Sequence, residues 1–184
     1  MKKNLGAQNL LYPSLTVLVG AHVHERPNFL AVAHVGIMTM EEISVGLGRI
    51  HHTNAGIREH GEFSVNIPSQ DQMALTDYCG LITGKNTDKS GVFELFYGEL
   101  AHAPLIWNCP VVMACRVERV VEFPQHEVFV GRVVESHADH DVLTDGKVDL
   151  AKVRPILFDM PQKKYWALGA PVGRAWHEGL ALKK

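Results

Sequence analysis

Apolar residues along this chain fall in short runs broken by turn residues, mostly in the alternating or β-branched pattern of strands. Tyr12–Ala21 (YPSLTVLVGA) opens after Pro13 and ends at Gly20, which predicts a first strand. His24–Asn28 (HERPN) has turn composition. Phe29–Met38 (FLAVAHVGIM) predicts a second strand carrying the small residues Ala31, Ala33 and Gly36, and the alternating Glu42–Arg49 (EISVGLGR) a third. Small residues on a strand let another body approach the sheet closely. A short helix follows, with Thr53 or Asn54 as its N-cap and Gly61 just past its end. Glu62–Ile67 (EFSVNI) is a strand stopped by Pro68. Ser69 with Gln72 then forms a capping box for a second helix ending near Gly80.

The second half begins with a polar loop, residues 84–91, and a short helical or irregular piece at Val92–Phe96. Pro110–Glu122 and Glu127–Glu135 predict long strands joined as a hairpin through Phe123–His126. Asp145-Gly146 marks a tight turn, and Ile156–Phe158 a last short strand. Tyr165–Gly169 leads into a terminal stretch to which the pattern assigns no form. Six or seven strands with two short helices predict a mainly β fold, an antiparallel closed sheet rather than a doubly wound one. No repeat, low-complexity stretch or linker interrupts it, so residues 1–184 are expected to form a single domain.

Charge and composition narrow the function classes. A net charge of −2 gives no electrostatic case for nucleic acid or an acidic membrane surface. The longest apolar runs, such as Leu15–Ala21, are strand-sized and far short of a spanning helix. Two lysines near the start have no apolar stretch behind them, so no secretion signal is expected. Cys79, Cys109 and Cys115 leave an odd thiol and show no Cys-x-x-Cys spacing. A disulfide framework or structural zinc is therefore not expected, and the cytoplasm is the expected compartment. Cys79 and Cys115 read as small buried hydrophobes. The 11 histidines gather at His22/His24, His51/His52 and His137/His140 without the carboxylate or thiolate that a metal site needs. They read as surface or edge residues, with His22 and His24 on one side of a strand. Asp139-His140-Asp141 is at most a loop that clips a stray cation.

Two segments carry candidate chemistry. In Arg49–Asn54 (RIHHTN), Thr53 and Asn54 lie where a helix begins and its free N–H groups favour an anion. Arg49 ends the preceding strand and could pair with phosphate oxygens. A plain helix cap and a solvated strand end explain the same residues. In Leu81–Lys89 (LITGKNTDK) and the following Ser90, Thr83-Gly84-Lys85 and Asp88-Lys89-Ser90 supply hydroxyls, a close-approach glycine and two cations. A charged surface loop would have the same composition. Neither the phosphate-loop spacing Gly-x-x-x-x-Gly-Lys nor a Gly-x-Gly-x-x-Gly turn is present. No Ser-His-Asp or Cys-His set stands at telling spacing.

With those residues in place, nearly the whole chain resembles the flavin reductase-like FMN-binding proteins, the flavoredoxins among them. The landmarks run in order: Tyr12-Pro13, Pro27-Asn28, Arg49-x-x-x-Thr53-x-x-x-Ile57, Glu62–Pro68, Cys79-Gly80, and Thr83-Gly84 through Asp88-Lys89. Ala103-Pro104-Leu105, Cys109-Pro110, His126 with Val130-Gly131, and Tyr165-Trp166-x-Leu168-Gly169 complete the set. The resemblance implies an FMN-binding split β-barrel, a homodimer with FMN near the subunit interface. Asn28 would contact the ring system, and Thr53 and Lys89 the phosphate, with Arg49, Asn54, Thr83 and Ser90 as helpers. His126 would reach the cofactor and Phe158 would pack at the ring. His34 stands where such proteins often carry tryptophan. A flavin supplies the electron chemistry, so no protein nucleophile is required. The expected function is an FMN-binding oxidoreductase that passes electrons or hydride from NAD(P)H or another donor to an acceptor. The alternative is a flavoredoxin-like electron carrier without intrinsic NAD(P)H oxidation, its partner a redox protein. The histidine content prompts a third reading, a haem- or metal-binding barrel.

Overall fold

The structure, a computed structural model, describes residues 1–183. Its strands are β1 (Ser14–Leu15), β2 (Val17–Val23), β3 (Arg26–Val32), β4 (Val35–Ile37), β5 (Glu42–Gly48), β6 (Glu62–Ile67) and β7 (Leu95–Phe96). They continue with β8 (Leu105–Ile106), β9 (Val111–Glu122), β10 (His126–Ala138), β11 (Leu143–Thr144), β12 (Lys147–Val148), β13 (Ile156–Asp159) and β14 (Lys164–Ala167). The α-helices are α1 (Thr53–His60), α2 (Met73–Leu81) and α3 (Leu150–Val153).

Seven strands form one curled antiparallel sheet in the order β3-β2-β6-β9-β10-β5-β4, and β1, β13 and β14 form a small second sheet beside it. The mainly β class read from the sequence is correct. Strand β2 is apolar except for His22 because both its faces are covered, which removes the usual alternation. Val17, Val19 and Ala21 join Leu47, Ile57, Phe63 and Phe129 on one face, while Leu18 joins Phe29, Cys79 and Leu105 on the other. Each such Val, Leu, Ile or Phe side chain contributes about 1.5–3 kcal/mol of burial, so this strand anchors both layers. Helix α2 delivers Cys79 to the second cluster and lies over β3. All three cysteines are free and buried, and burial lifts the thiols to about 11 for Cys79 and about 12 for Cys109 and Cys115.

Several boundaries differ from the sequence pattern for local reasons. The first predicted strand is divided at Thr16, whose N–H donates to Ile156 O at 2.9 Å and ties β2 to the small sheet. The predicted five-residue turn is only His24 and Glu25, at φ +47° and +66°, closing a hairpin in which Val23 faces Arg26. His24 therefore leaves the strand and does not share a face with His22. The second predicted strand breaks at Ala33-His34, where His34 O accepts the Gly46 N–H at 2.7 Å instead of continuing the ladder. Neither Thr53 nor Asn54 caps α1; both lie in its first turn, because their side chains are engaged elsewhere. Gly61 ends that helix at φ +65°, donating to Ile57 O. Ser69 N–H donates to Gln72 Oε1 at 3.0 Å, a capping contact that opens a 3₁₀ turn leading into α2. Val92–Phe96 resolves into the end of a 3₁₀ turn and β7, β10 runs on to Ala138, and β14, Lys164–Ala167, lies ahead of the stretch that had no assigned form.

Candidate functional site

Between β3, the start of α1 and the C-terminal end of α2 lie two adjoining cavities of about 210 and 460 Å³. Both are walled by Leu30, His51, Gly80 and Leu81, so they are two parts of one cleft. The narrow part is polar. Asn28 comes from β3, Thr53 from the first turn of α1, and Thr83, Gly84 and Lys89 from the loop after α2. Asn28 Nδ2 donates to Thr53 Oγ1 at 2.7 Å, and both residues are buried. Asn28 Oδ1 has no partner. Position 84 accepts only glycine here, since a Cβ would lie 1.8 Å from Asn28 Oδ1.

Lys89 is 2% exposed. Its Nζ donates to the carbonyls of Cys79 at 3.0 Å and Ile82 at 2.9 Å, satisfying the open end of α2. An ammonium has three donors, so one remains. Among the described residues no carboxylate pairs with it, and burial lowers its pKa. A buried cation in that state favours an anion. Burial, then the neighbouring Lys89 and His126, likewise lower the His51 pKa.

The wide part is flatter and more apolar. Ala31, Ala33 and Gly46 leave room over the sheet, and Phe158 and Tyr165 close one side, their rings 5.4 Å apart. Tyr165 is fixed by donating its hydroxyl to Asp77 Oδ1 at 2.9 Å. His34 and His126 stand at the mouth with ring centres 6.0 Å apart, and the Tyr12 hydroxyl shares a 3.2 Å hydrogen bond with His34 Nε2. Thr16 Oγ1 is buried in this wall without a partner.

Of the residues singled out from the sequence, the cleft brings together Asn28, His34, Thr53, Thr83, Lys89, His126 and Phe158. Three others face elsewhere. Arg49 donates to Phe123 O and pairs with Glu122 and Glu127. Asn54 Nδ2 donates to Glu127 Oε2 at 2.8 Å, and Ser90 bonds the Asp88 carboxylate. His51, Thr16, Tyr12 and Tyr165 line or support the cleft without having been chosen for it. His51 was visible between Arg49 and Thr53 but read as one more surface histidine. Among the described residues no group of three His, Cys, Asp or Glu side chains is arranged to hold a metal. A separate cavity of about 230 Å³ beside Phe96 and Trp107 has no lysine or arginine in its wall.

Residues 10–160 match the model of the flavin reductase like domain. The chain belongs to the flavin reductase-like family. The flavoredoxin of Methanosarcina acetivorans is 38% identical and superposes with a TM-score of 0.96 over 100% of both chains. The flavoredoxin of Desulfovibrio vulgaris (Miyazaki F) is 33% identical, with a TM-score of 0.91 over 97% of this chain and 100% of its own. An uncharacterized protein of Archaeoglobus fulgidus is 30% identical over 145 residues, 76% of this chain and 80% of its own. The curled sheet of this flavin reductase-like protein is thus the split barrel of flavin-binding relatives. Its cleft suits a flavin: the buried Lys89 and the orphaned Asn28 Oδ1 lie at one end, and a slot over small strand residues lies at the other.

Proposed function

We propose that the cleft holds FMN, and that the protein passes electrons or hydride from NAD(P)H or another donor to an acceptor. The observation that carries this reading is that Thr53 and Lys89, from separate segments, wall one cavity beside a slot of ring size. Lys89 and the Thr53 hydroxyl hold the phosphate, with Thr83 at its edge. Asn28 stands beside Thr53 in the narrow, polar part of the cleft. Phe158, His34 and His126 bound the ring's position. FMN would supply the one- or two-electron chemistry; the chain supplies orientation and a dry wall. The Tyr12 hydroxyl, 3.2 Å from His34 Nε2, fixes the orientation of the His34 imidazole at the mouth.

Purified protein should be yellow or become so with FMN, and should bleach when NADH or NADPH is added without oxygen. A colourless protein that takes up no FMN sinks the reading. Bleaching only by dithionite favours the carrier, the reading that the likeness to the two flavoredoxins supports. The exposed apolar side chains Ile37, Met40 and Ile50 support a homodimer, and the three free buried thiols support a cytoplasmic setting.

A further inference from the structure

The cavity of about 230 Å³ beside Phe96 and Trp107 shares no residue with the cleft. Three rings stand around it at near right angles. Phe96 and Trp107 meet edge to face, with centres 5.3 Å apart and planes at 83°. Phe96 and His137 do the same at 5.4 Å and 81°. Trp107 is 58% exposed, so its ring is open to a solute. Cys109, Val112 and Ala138 fill the rest of the wall, and Asp139 is its one carboxylate. Backbone pairing sets these side chains in advance. Phe96 pairs with Leu105 across β7 and β8, and the Trp107 N–H donates to Glu94 O at 2.8 Å. The Cys109 N–H donates to Ile106 O at 3.1 Å, turning the chain toward β9. On the other side His137 pairs with Val112, and the Asp139 N–H donates to Pro110 O at 3.0 Å. The cavity is a corner between the β8–β9 connection and the end of β10.

The charges of this corner are unbalanced. His137 Nε2 lies 2.9 Å from Glu135 Oε2, and the other oxygen of Glu135 accepts the Glu99 N–H at 2.6 Å. That pair is closed on itself. Asp139 has no ion pair and its carboxylate no hydrogen bond among the described residues. Burial first, then the neighbouring Asp141, raise its pKa, and no cation acts against them. A cation would supply what the carboxylate lacks. A metal ion does not suit the place: the Cys109 thiol is held protonated, its pKa pushed up to about 12, and no three ligand groups converge among the described residues. Rings at right angles cannot all stack on one flat guest, but they can surround a rounded one. Aromatic rings also attract a weakly hydrated cation at little cost in desolvation.

We propose that this corner is a second ligand site, for a small organic cation of the quaternary ammonium class, enclosed by Phe96, Trp107 and His137 and charge-paired with Asp139. The rings select the rounded, weakly hydrated head, and the carboxylate selects its charge. The site stands apart from the flavin reading of the cleft, and neither depends on the other.

The test follows the indole N–H signals of the three tryptophans by NMR while the protein as purified is titrated at fixed ionic strength. The probes are choline and its neutral analogue, in which a tert-butyl group replaces the trimethylammonium. Trp107→Phe identifies the Trp107 signal by its disappearance. Choline should shift that signal saturably and bind roughly ten-fold or more tightly than the analogue. Asp139→Asn, which keeps the shape of the side chain, should weaken choline roughly ten-fold and leave the analogue within about two-fold. No saturable shift at Trp107, equal affinity for the two probes, or choline binding undiminished in Asp139→Asn overturns the site. Thermal melting followed by circular dichroism checks that the variant folds. If it does not, the preference of the parent between the two probes decides alone.

Discussion

At the scale of single residues, the decisive group is Lys89, a buried ammonium held by two carbonyls at the end of α2 with one donor to spare. Lys89→Met should weaken FMN by about ten- to a hundred-fold, the effect of one charge-assisted contact of about 1.5–3 kcal/mol. Riboflavin, which has no phosphate, should bind the variant and the parent alike. Equal losses for both ligands would show that Lys89 only supports α2. A pH dependence follows from His51 and His52, whose pKa values are lowered in the free protein. Both are neutral near neutral pH. A phosphate dianion offsets the repulsion from Lys89 and draws a proton onto them, so FMN affinity rises as pH falls. The rise is at most about ten-fold per pH unit and proton. It should flatten at about pH 6, where the phosphate itself protonates. Fluorescence titrations of FMN and riboflavin side by side would show the slope for FMN alone. Little of this was legible in the sequence. Thr53 and Lys89 stood out as hydroxyl and cation, but the burial that gives Lys89 its force depends on where α2 ends.

At the scale of elements, Glu127 ties α1 to the β9–β10 hairpin. Its carboxylate accepts from Arg58 at 2.6 Å, from Arg49 at 3.3 Å and from Asn54 at 2.8 Å, while the side chain is only 7% exposed. The Arg58 hydrogen bond, above all, holds the Glu127 pKa below its ordinary value. A lowered carboxylate pKa stabilises the fold above the unfolded value, and that stability is lost as pH falls through the folded one. Glu127→Ala should cost about 1.5–3 kcal/mol in urea unfolding at neutral pH. Glu122→Ala, at a side chain 57% exposed in the same cluster, should cost less, because solvent screens its ion pairs. The gap between the two variants should narrow in acid. Arg49 was read as a phosphate contact because its partners lie on a hairpin far along the chain, which no local pattern reveals. Elements with clear local stops fared better: Gly61 ends α1, and Pro68 follows β6 directly. The break at Ala33-His34 has no proline or glycine to mark it, and the His24-Glu25 turn lacks the Asn-Gly chemistry that signals such a bend.

At the scale of the whole molecule, the order of the landmarks along the chain pointed to the split barrel, whereas strand counting gave only a mainly β fold with an antiparallel closed sheet. The pairing order β3-β2-β6-β9-β10-β5-β4 joins strands distant in sequence and is set by two shared cores, so it could not be read from runs of residues. Ile37, Met40 and Ile50 are 86%, 99% and 94% exposed, and the proposed homodimer would give them a surface to cover. Light scattering should give about twice 20.4 kDa, and Ile37→Glu should shift the population toward one copy. The sealed cysteines bear on redox life more broadly. With every cysteine thiol protonated and buried in the folded state, the polypeptide has no dithiol couple of its own in which to park reducing equivalents. Thiol-directed alkylating agents that inactivate thiol enzymes should leave the folded protein unmodified at its cysteines.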